Sequence, residues 1–411
     1  MSFTILVAIT ITLAIISQIY CAKKVISTIK QLFPSILGRK TKIGITVFLI
    51  IFNVYFILFI LFWIRVTFSA GSYPLQNSFT FNFLVVYPTF MIFLITLQIG
   101  LFLLLFDIIK LVFLPLYLSK KEIWKSLEAK IILVLVVFFM IYVPVRIIVD
   151  YNVFPVKNVD YKKQSLPKEM NEFKILFISD LHADQFTNEN RLGRFIDKVN
   201  LNKPDLVLIA GDLITKGNSY INMSAEFLGK IKSNYGVYTC IGDHDHWVYR
   251  EDRRRSVAEI TQALKKYGIP MLDNQNLTLN VRSYKLLLTF VTNTYAERIT
   301  PDMLNELTAQ DGKSSDVLRI LITHQPSNFV INRAVEEKYD LMLAGHTHGG
   351  QITFLFPFIN LTPTYIETKY VKGAFRLKDT LLYVTRGLGM SVIPLRYNSS
   401  PEIVVFTLKK A

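Results

Sequence analysis

Phe173-Lys-Ile-Leu-Phe-Ile-Ser-Asp-Leu-His182 is an apolar run that stops at an acid and an imidazole. Its first part, 173–179, is short and nearly continuous, the pattern of a strand buried on both faces. The arrangement returns along the chain. The run 205–210 leads to Asp212, 237–241 to Asp243 and His244, 318–323 to His324, and 341–344 to His346 and His348. Helical stretches are expected between them at 188–200, 224–233, 251–267 and 328–337. The runs 277–280 and 285–291 read as paired strands around Arg282-Ser283, and 381–385 and 403–408 close the domain. Strands alternating with helices give an α/β class with largely buried sheets.

Upstream of this domain the composition changes. The whole chain of 411 residues is 51% hydrophobic and only 19% charged, below the roughly 25% charged of a soluble domain. Disorder is excluded. Two cysteines, Cys21 and Cys240, exclude a disulfide scaffold and a thiolate zinc site. Four stretches have the roughly 20 apolar residues that span a bilayer: 3–22, 43–64, 81–106 and 131–149. Residues 108–118, beyond Asp107, read as an interfacial extension. Residues 1–150 therefore form a membrane anchor and 151–172, with Pro155 and Pro167, a polar linker. The positive charges of the successive loops number zero, six, one and five. Positive loops stay in the cytoplasm, which places the amino terminus and residues 173–411 outside. The span interiors are nearly pure Leu, Ile, Phe and Val, with Asn53, Gln98 and Pro144 the exceptions, so an anchor is favoured over a transporter.

The chain has six histidines, His182, His244, His246, His324, His346 and His348, and each follows an expected strand. Asp180, Asp184, Asp212, Asp243 and Asp245 stand at the same kind of position. In α/β sheets that edge is where sites are assembled. A lone histidine reads as structural; six at strand ends beside acids do not. Asp and His without Cys suit a borderline divalent ion such as Mn²⁺, Fe²⁺ or Zn²⁺. There are enough donors for two ions, and two ions about 3.5–4 Å apart can hold a hydroxide and clamp a phosphate.

Five ordered blocks carry a family resemblance: Ser179-Asp-Leu-His182, Gly211-Asp-Leu213, Gly242-Asp-His-Asp245, Thr323-His324 and Gly345-His-Thr-His-Gly-Gly-Gln351. Together they resemble the calcineurin-like metallophosphoesterases. The last block and Tyr383-Val-Thr-Arg-Gly-Leu-Gly389 are similar to the bacterial membrane-associated branch with amino-terminal transmembrane helices. The resemblance covers about residues 173–408. It implies two packed mixed β-sheets flanked by helices, with both metals on loops at one rim. The fold expected for the whole chain is thus a four-helix transmembrane region followed by that α/β domain at 173–411.

Carried over to this chain, the resemblance implies Asp180, His182 and His348 on one metal, Asp212 as the bridge, and Asp243, His324 and His346 on the other. Mn²⁺ is the leading ion, with Fe or Zn as alternatives. His244 would face the scissile phosphate and protonate the leaving group. The implied reaction is hydrolysis of a phosphodiester or pyrophosphate by a hydroxide bridging the metals. The family pattern has Asn where Asp243 stands; the acid adds charge, which would tighten the metal and reduce its Lewis acidity.

Other residues have weaker readings. Asp184 and Asp245 are candidates to orient ligand histidines, with exposed turn residues the alternative. Gly349 and Gly350 let the backbone turn beside the metals. His246 is a substrate contact or a supporting histidine. Arg386 and Arg396 could grip phosphate, although ordinary surface arginines are the leading reading. Cys240 reads as core. The membrane anchor favours a lipid-linked phosphate, and the apolar stretch 354–359 is a possible lip for acyl chains, a buried strand and turn being the alternative. A UDP-sugar lipid precursor would lead only if the domain were cytoplasmic. A metal-binding sensor or scaffold without turnover is the second functional reading. A nuclease is disfavoured, because residues 151–411 hold 33 basic against 27 acidic residues and lack the basic patch of long nucleic-acid binders.

Overall fold

A computed structural model describes residues 3–35, 79–249, 251–309 and 317–411, with isolated positions between 38 and 57. The chain divides into two compact units. One comprises Met1–Ile148 with Phe354–Asn360, the other Val149–Thr353 with Leu361–Ala411.

In the first unit, α1 (Phe3–Leu32) is followed, after the described gap, by a π-helical turn at Asn82–Val86 and α2 (Tyr87–Val112). A short α3 (Leu114–Ser119) leads into α4 (Lys121–Asn152), which continues through Pro144. The helices Asn82–Val112 and Lys121–Asn152 are long and apolar enough to cross a membrane. The expected span 43–64 lies almost wholly outside the described residues. α1 and α2 approach closely where Gly100 faces Ser17: a Cβ at Gly100 would lie 2.3 Å from the Ser17 hydroxyl, the small-residue contact common between membrane helices. Lys24, Asp107, Lys110 and Glu128 form one ion-pair network at the helix ends, with Glu128 accepting from both Lys24 at 3.3 Å and Lys110 at 2.8 Å.

The second unit holds two six-stranded sheets. The first comprises β1 (Val156–Lys163), β2 (Lys174–Ile178), β3 (Leu206–Ile209), β4 (Val237–Cys240) and β5 (Met271–Leu272), and takes in the last strand of the chain. The second comprises β6 (Gln275–Val281), β7 (Tyr284–Val291), β8 (Val317–Thr323) and β9 (Leu341–Ala344), and adds two strands from beyond a hairpin, β10 (Phe354–Phe356) and β11 (Ile359–Leu361), whose residues up to Asn360 belong to the first unit. Those later strands are β12 (Gly373–Leu377), β13 (Thr380–Val384) and β14 (Ile403–Lys410). The orders are β1-β14-β2-β3-β4-β5 and β12-β13-β9-β8-β7-β6. Both sheets are mixed, with β2, β3 and β4 mutually parallel in one and β7, β8, β9 and β13 in the other.

Strand alternation then builds four layers. Ile175, Phe177, Leu206, Leu208, Val404 and Phe406 point from the first sheet toward Leu288, Phe290, Ile320, Ile322 and Leu343 of the second. The opposite faces carry Leu176, Ile178, Val207 and Ile209 under α5 (Glu189–Leu201) and α7 (Arg253–Lys265), and Leu321, Met342 and Val384 under α9 (Asn328–Glu336). The intervening helices α6 (Ser219–Leu228) and α8 (Pro301–Thr308) extend those outer layers. Both faces of each sheet are covered, which is why the strands read as unbroken apolar runs. Cys240 is fully buried between the sheets, as its sequence context predicts.

Two features differ from the expectation. Residues 151–172, expected as a linker, contain β1, paired in parallel with β14 from Val156↔Ile403 to Lys163↔Lys410. A half-exposed edge strand needs few apolar residues, so β1 with its four lysine and aspartate side chains resembles a loop in sequence. Helix α6 begins at Ser219, five residues before the expected 224.

Phe177 is fully buried between the sheets. Phe177→Ala is expected to destabilise the domain by about 3–5 kcal/mol, measured as the lowered urea midpoint of the full chain in detergent at unchanged slope.

Candidate metal centre

The C-terminal ends of β2, β3, β4, β8 and β9 converge. Each strand stops, and the next residues turn sharply enough to aim a donor inward. Asp180, His182, Asp212, His346 and His348 all adopt left-handed backbone conformations, with φ of 51°, 48°, 53°, 70° and 50°. Each such non-glycine residue costs about 1–2 kcal/mol. Gly242 presses on Asp212, where a Cβ would lie 2.2 Å from the Asp212 nitrogen. Gly349 and Gly350 follow His348 with φ of 61° and 83°, turning the chain away from the rim.

All seven residues proposed from the sequence as ligands come together. His182 Nε2 and His348 Nε2 face each other at 3.1 Å, with Asp180 Oδ1 at 3.9 and 3.5 Å from them. On the other side, Asp243 Oδ2 lies 3.3 Å from His324 Nε2 and 3.0 Å from His346 Nδ1. Asp212 Oδ2 stands between the two groups, 3.3 Å from His182 Nε2 and 3.3 Å from His324 Nε2. Ligands held about 2.0–2.2 Å from one cation sit roughly 3–3.5 Å from one another. The donor set therefore fits divalent cations, with Asp212 Oδ2 within reach of both groups.

The electrostatics of the two groups differ. Burial drives the pKa of His182 and His348 well below the ordinary imidazole value, and neighbouring cationic groups add to it. Both rings are thus kept neutral, with a lone pair available to a metal. Burial acts the same way on His346, but hydrogen bonds with Asp243 and Glu367 outweigh it and raise its pKa to about 10. His324 is raised too, by Asp212 and Asp243 against the burial penalty. A cation entering the second group takes the place of those protons.

Supporting contacts orient the donors. His324 Nδ1 lies 2.7 Å from the Ala210 carbonyl, and His346 Nε2 lies 2.7 Å from Glu367 Oε1. Glu367 also accepts from the Tyr295 hydroxyl at 2.6 Å. Nothing in the sequence pattern marks Glu367 or Tyr295; both lie on loops remote from the motifs. Asp243 is suited to its place as an acid. Its Oδ1 accepts from the Tyr295 backbone N–H at 2.6 Å, and its Oδ2 accepts from Gln325 Nε2 at 2.7 Å while facing the histidines. An asparagine there would have to turn its NH₂ either toward the Tyr295 donor or toward the metal.

His244 is half-buried. Its Nδ1 lies 2.8 Å from the Thr215 carbonyl and its Nε2 3.1 Å from the Ser391 hydroxyl. A ring nitrogen is within 4.8 Å of the donor atoms of His182 and Asp212. Asp184 accepts from Thr215 Oγ1 at 2.9 Å and so supports the residue that holds His244, without touching a histidine itself. Asp245 also touches no histidine: its carboxylate accepts backbone N–H bonds from Asp212, Leu213 and Gly242, each at 2.9 Å. His246 is buried 4.0 Å from Glu297 and belongs to no donor group. Arg396 is not on the surface. It is fully buried, and its guanidinium donates to the carbonyls of His348, Arg386, Gly389 and Ser399 at 2.6–3.2 Å, bracing the loop that carries His348. Arg386 pairs with Glu402 at 3.4 Å.

Comparison with known proteins agrees with this geometry. The calcineurin-like phosphoesterase pattern matches residues 173–350. An uncharacterized metallophosphoesterase of Campylobacter jejuni is 30% identical over 332 residues, which cover 78% of this chain and 79% of that protein. The chain belongs to the calcineurin-like metallophosphoesterases. It is accordingly a metal-dependent phosphoester hydrolase, of a family that uses divalent metals. It is 31% identical over 239 residues to the phosphodiesterase YaeI of Escherichia coli, covering 57% of this chain and 82% of that one. A transmembrane protein with metallophosphoesterase domain from Danio rerio is 29% identical over 265 residues, 62% of this chain and 57% of that protein. With the two membrane-length helices, that likeness associates the chain with a membrane.

Outer-sphere partners of metal ligands are worth about 10–100-fold in affinity. Glu367→Ala is expected to weaken the second cation by that factor and leave the first unchanged, read as two-step Mn²⁺ binding by calorimetry. Asp243→Asn is expected to weaken the same step at least as much; a second step that is unchanged or tighter would contradict the account of Asp243.

Proposed function

We propose that the protein is a membrane-anchored dinuclear phosphodiesterase or pyrophosphatase, with its catalytic domain on the extracytoplasmic face and a lipid-linked phosphate ester as substrate. The observation that carries the dinuclear reading is the position of Asp212 Oδ2, 3.3 Å from a donor of each metal group. Asp180, His182 and His348 would hold one cation, Asp243, His324 and His346 the other, and Asp212 both. Bound there, two cations supply Lewis acidity toward the phosphoryl oxygens and a hydroxide nucleophile near neutral pH. His244 supplies the proton. Its Nδ1–H, donated to the Thr215 carbonyl, leaves Nε2 as the atom that carries or releases a proton at the site. The Asp184–Thr215 hydrogen bond keeps that carbonyl in place.

Sidedness is supported by the basic loops, which flank the first and third expected spans on one side only. A lipid-linked substrate is supported by the anchor, which confines the site to a bilayer surface.

His244→Ala is expected to keep both cations and to lose about 10²–10⁴-fold in kcat/KM on diesters with alkyl leaving groups. The loss should be much smaller on nitrophenyl diesters, whose leaving group needs no proton. Equal losses on both would remove the general-acid role. Absence of turnover on any phosphoester with Mn²⁺ would remove the enzyme reading itself.

A further inference from the structure

The segment 352–366 contains no charged residue, and its centre is the β10–β11 hairpin. Residues 354–360 cluster with the membrane-length helices, although the chain enters and leaves them from the phosphoesterase unit. The contact responsible is specific. Gln98, in α2, is fully buried. Its Nε2 donates to the Leu355 carbonyl at 2.8 Å, and its Oε1 accepts from the Leu355 N–H at 2.9 Å. The side-chain amide thus pairs with β10 as a neighbouring strand would.

The position of Gln98 gives this pairing meaning. It lies nine residues before Asp107, where the Lys24 and Glu128 charges gather. At 1.5 Å per residue that is about 14 Å along the helix, close to half the roughly 30 Å hydrocarbon thickness. A two-stranded ribbon leaves strand edges unpaired, and in hydrocarbon an unpaired backbone group has no water to bond with and is strongly disfavoured. Gln98 satisfies both groups of Leu355, which answers that cost on the edge facing α2. Meanwhile Phe358, at the hairpin tip, is fully exposed and Ile359 more than half exposed. The first charged residue after the run is Glu367, the carboxylate on His346.

We propose that the 354–361 hairpin is inserted into the bilayer, latched to α2 by the Gln98 amide, and that the partner its exposed apolar side chains fit is lipid hydrocarbon. In the chain, the loop that carries Glu367 follows this hairpin directly. The consequence for substrate choice rests on the lipid-linked reading above; the insertion does not.

The test uses the full chain in phosphatidylcholine–phosphatidylglycerol vesicles. A Cys21→Ala, Phe358→Cys variant is labelled with an environment-sensitive fluorophore, Cys240 being buried. Lys378→Cys, on the exposed β12–β13 turn, serves as the water-facing control. The label at 358 is expected to emit to the blue of the control, to lose fluorescence with nitroxide-bearing acyl chains, and to resist aqueous iodide. Adding Gln98→Leu is expected to admit iodide. Quenching by iodide in the unlatched and latched proteins alike, or protection from both quenchers as in a protein-covered surface, would overturn the insertion. Phe358→Asp is expected to lose turnover of a vesicle-borne diester while keeping that of a soluble nitrophenyl diester; equal retention of both would refute the substrate consequence. A lipid-quenched label in a protein that hydrolyses neither diester would sustain the insertion and refute the esterase reading.

Discussion

Three backbone N–H groups, of Asp212, Leu213 and Gly242, end on the single carboxylate of Asp245. That arrangement ties the end of β3 to the end of β4, and it is what lets one oxygen of Asp212 stand between two sets of donors. The loops at these strand ends are strained, with five of the seven inward-facing residues in the left-handed region. A buried carboxylate with its hydrogen bonds complete is among the stronger local restraints available to a backbone. The rest of the rim follows from it: Gly242 can approach Asp212 only because it lacks a Cβ, and His244 receives its place because its own N–H is bound by Asp212 Oδ1 at 2.7 Å.

The two halves of the centre are prepared differently. His182 and His348 are buried among cationic neighbours, which leaves them neutral and ready to coordinate. His324 and His346 are surrounded by Asp212, Asp243 and Glu367 and retain protons more firmly. The acid at Asp243 adds to that contrast, and its second oxygen is committed to the Tyr295 backbone. An extra negative charge is thereby placed where the local hydrogen-bond pattern demands an acceptor. The same contacts link Asp243, Tyr295, Glu367 and His346 into one chain of neighbours.

Membrane association adds a second level of organisation. Helices α1 and α2 meet at Gly100 and Ser17, and charges collect at the helix ends. Gln98, the one amide in the largely apolar helix α2, would be costly if left alone in hydrocarbon. It is instead fully paired with a backbone segment that arrives from more than 250 positions along the chain.

The amino-acid order by itself determined the α/β class and the strand ends where acids and imidazoles gather; the resemblance to the phosphoesterase family singled out, among them, the seven that the fold brings together. It could do so because buried strands are written as apolar runs, and because polar residues at strand ends are nearest neighbours of those runs. It also marked Cys240 as core and residues 1–150 as apolar. Only the tertiary structure decided what lies across a gap in sequence. The edge strand β1 is recognisable only by its pairing with β14, since an exposed edge imposes no apolar pattern. Glu367 and Tyr295 reach His346 and Asp243 from loops that share no motif with them. Asp184 and Asp245 act on a threonine and on backbone N–H groups rather than on histidines, and Arg396 is an internal brace rather than a surface charge. Such contacts depend on distances between segments remote in the chain, which sequence spacing does not encode.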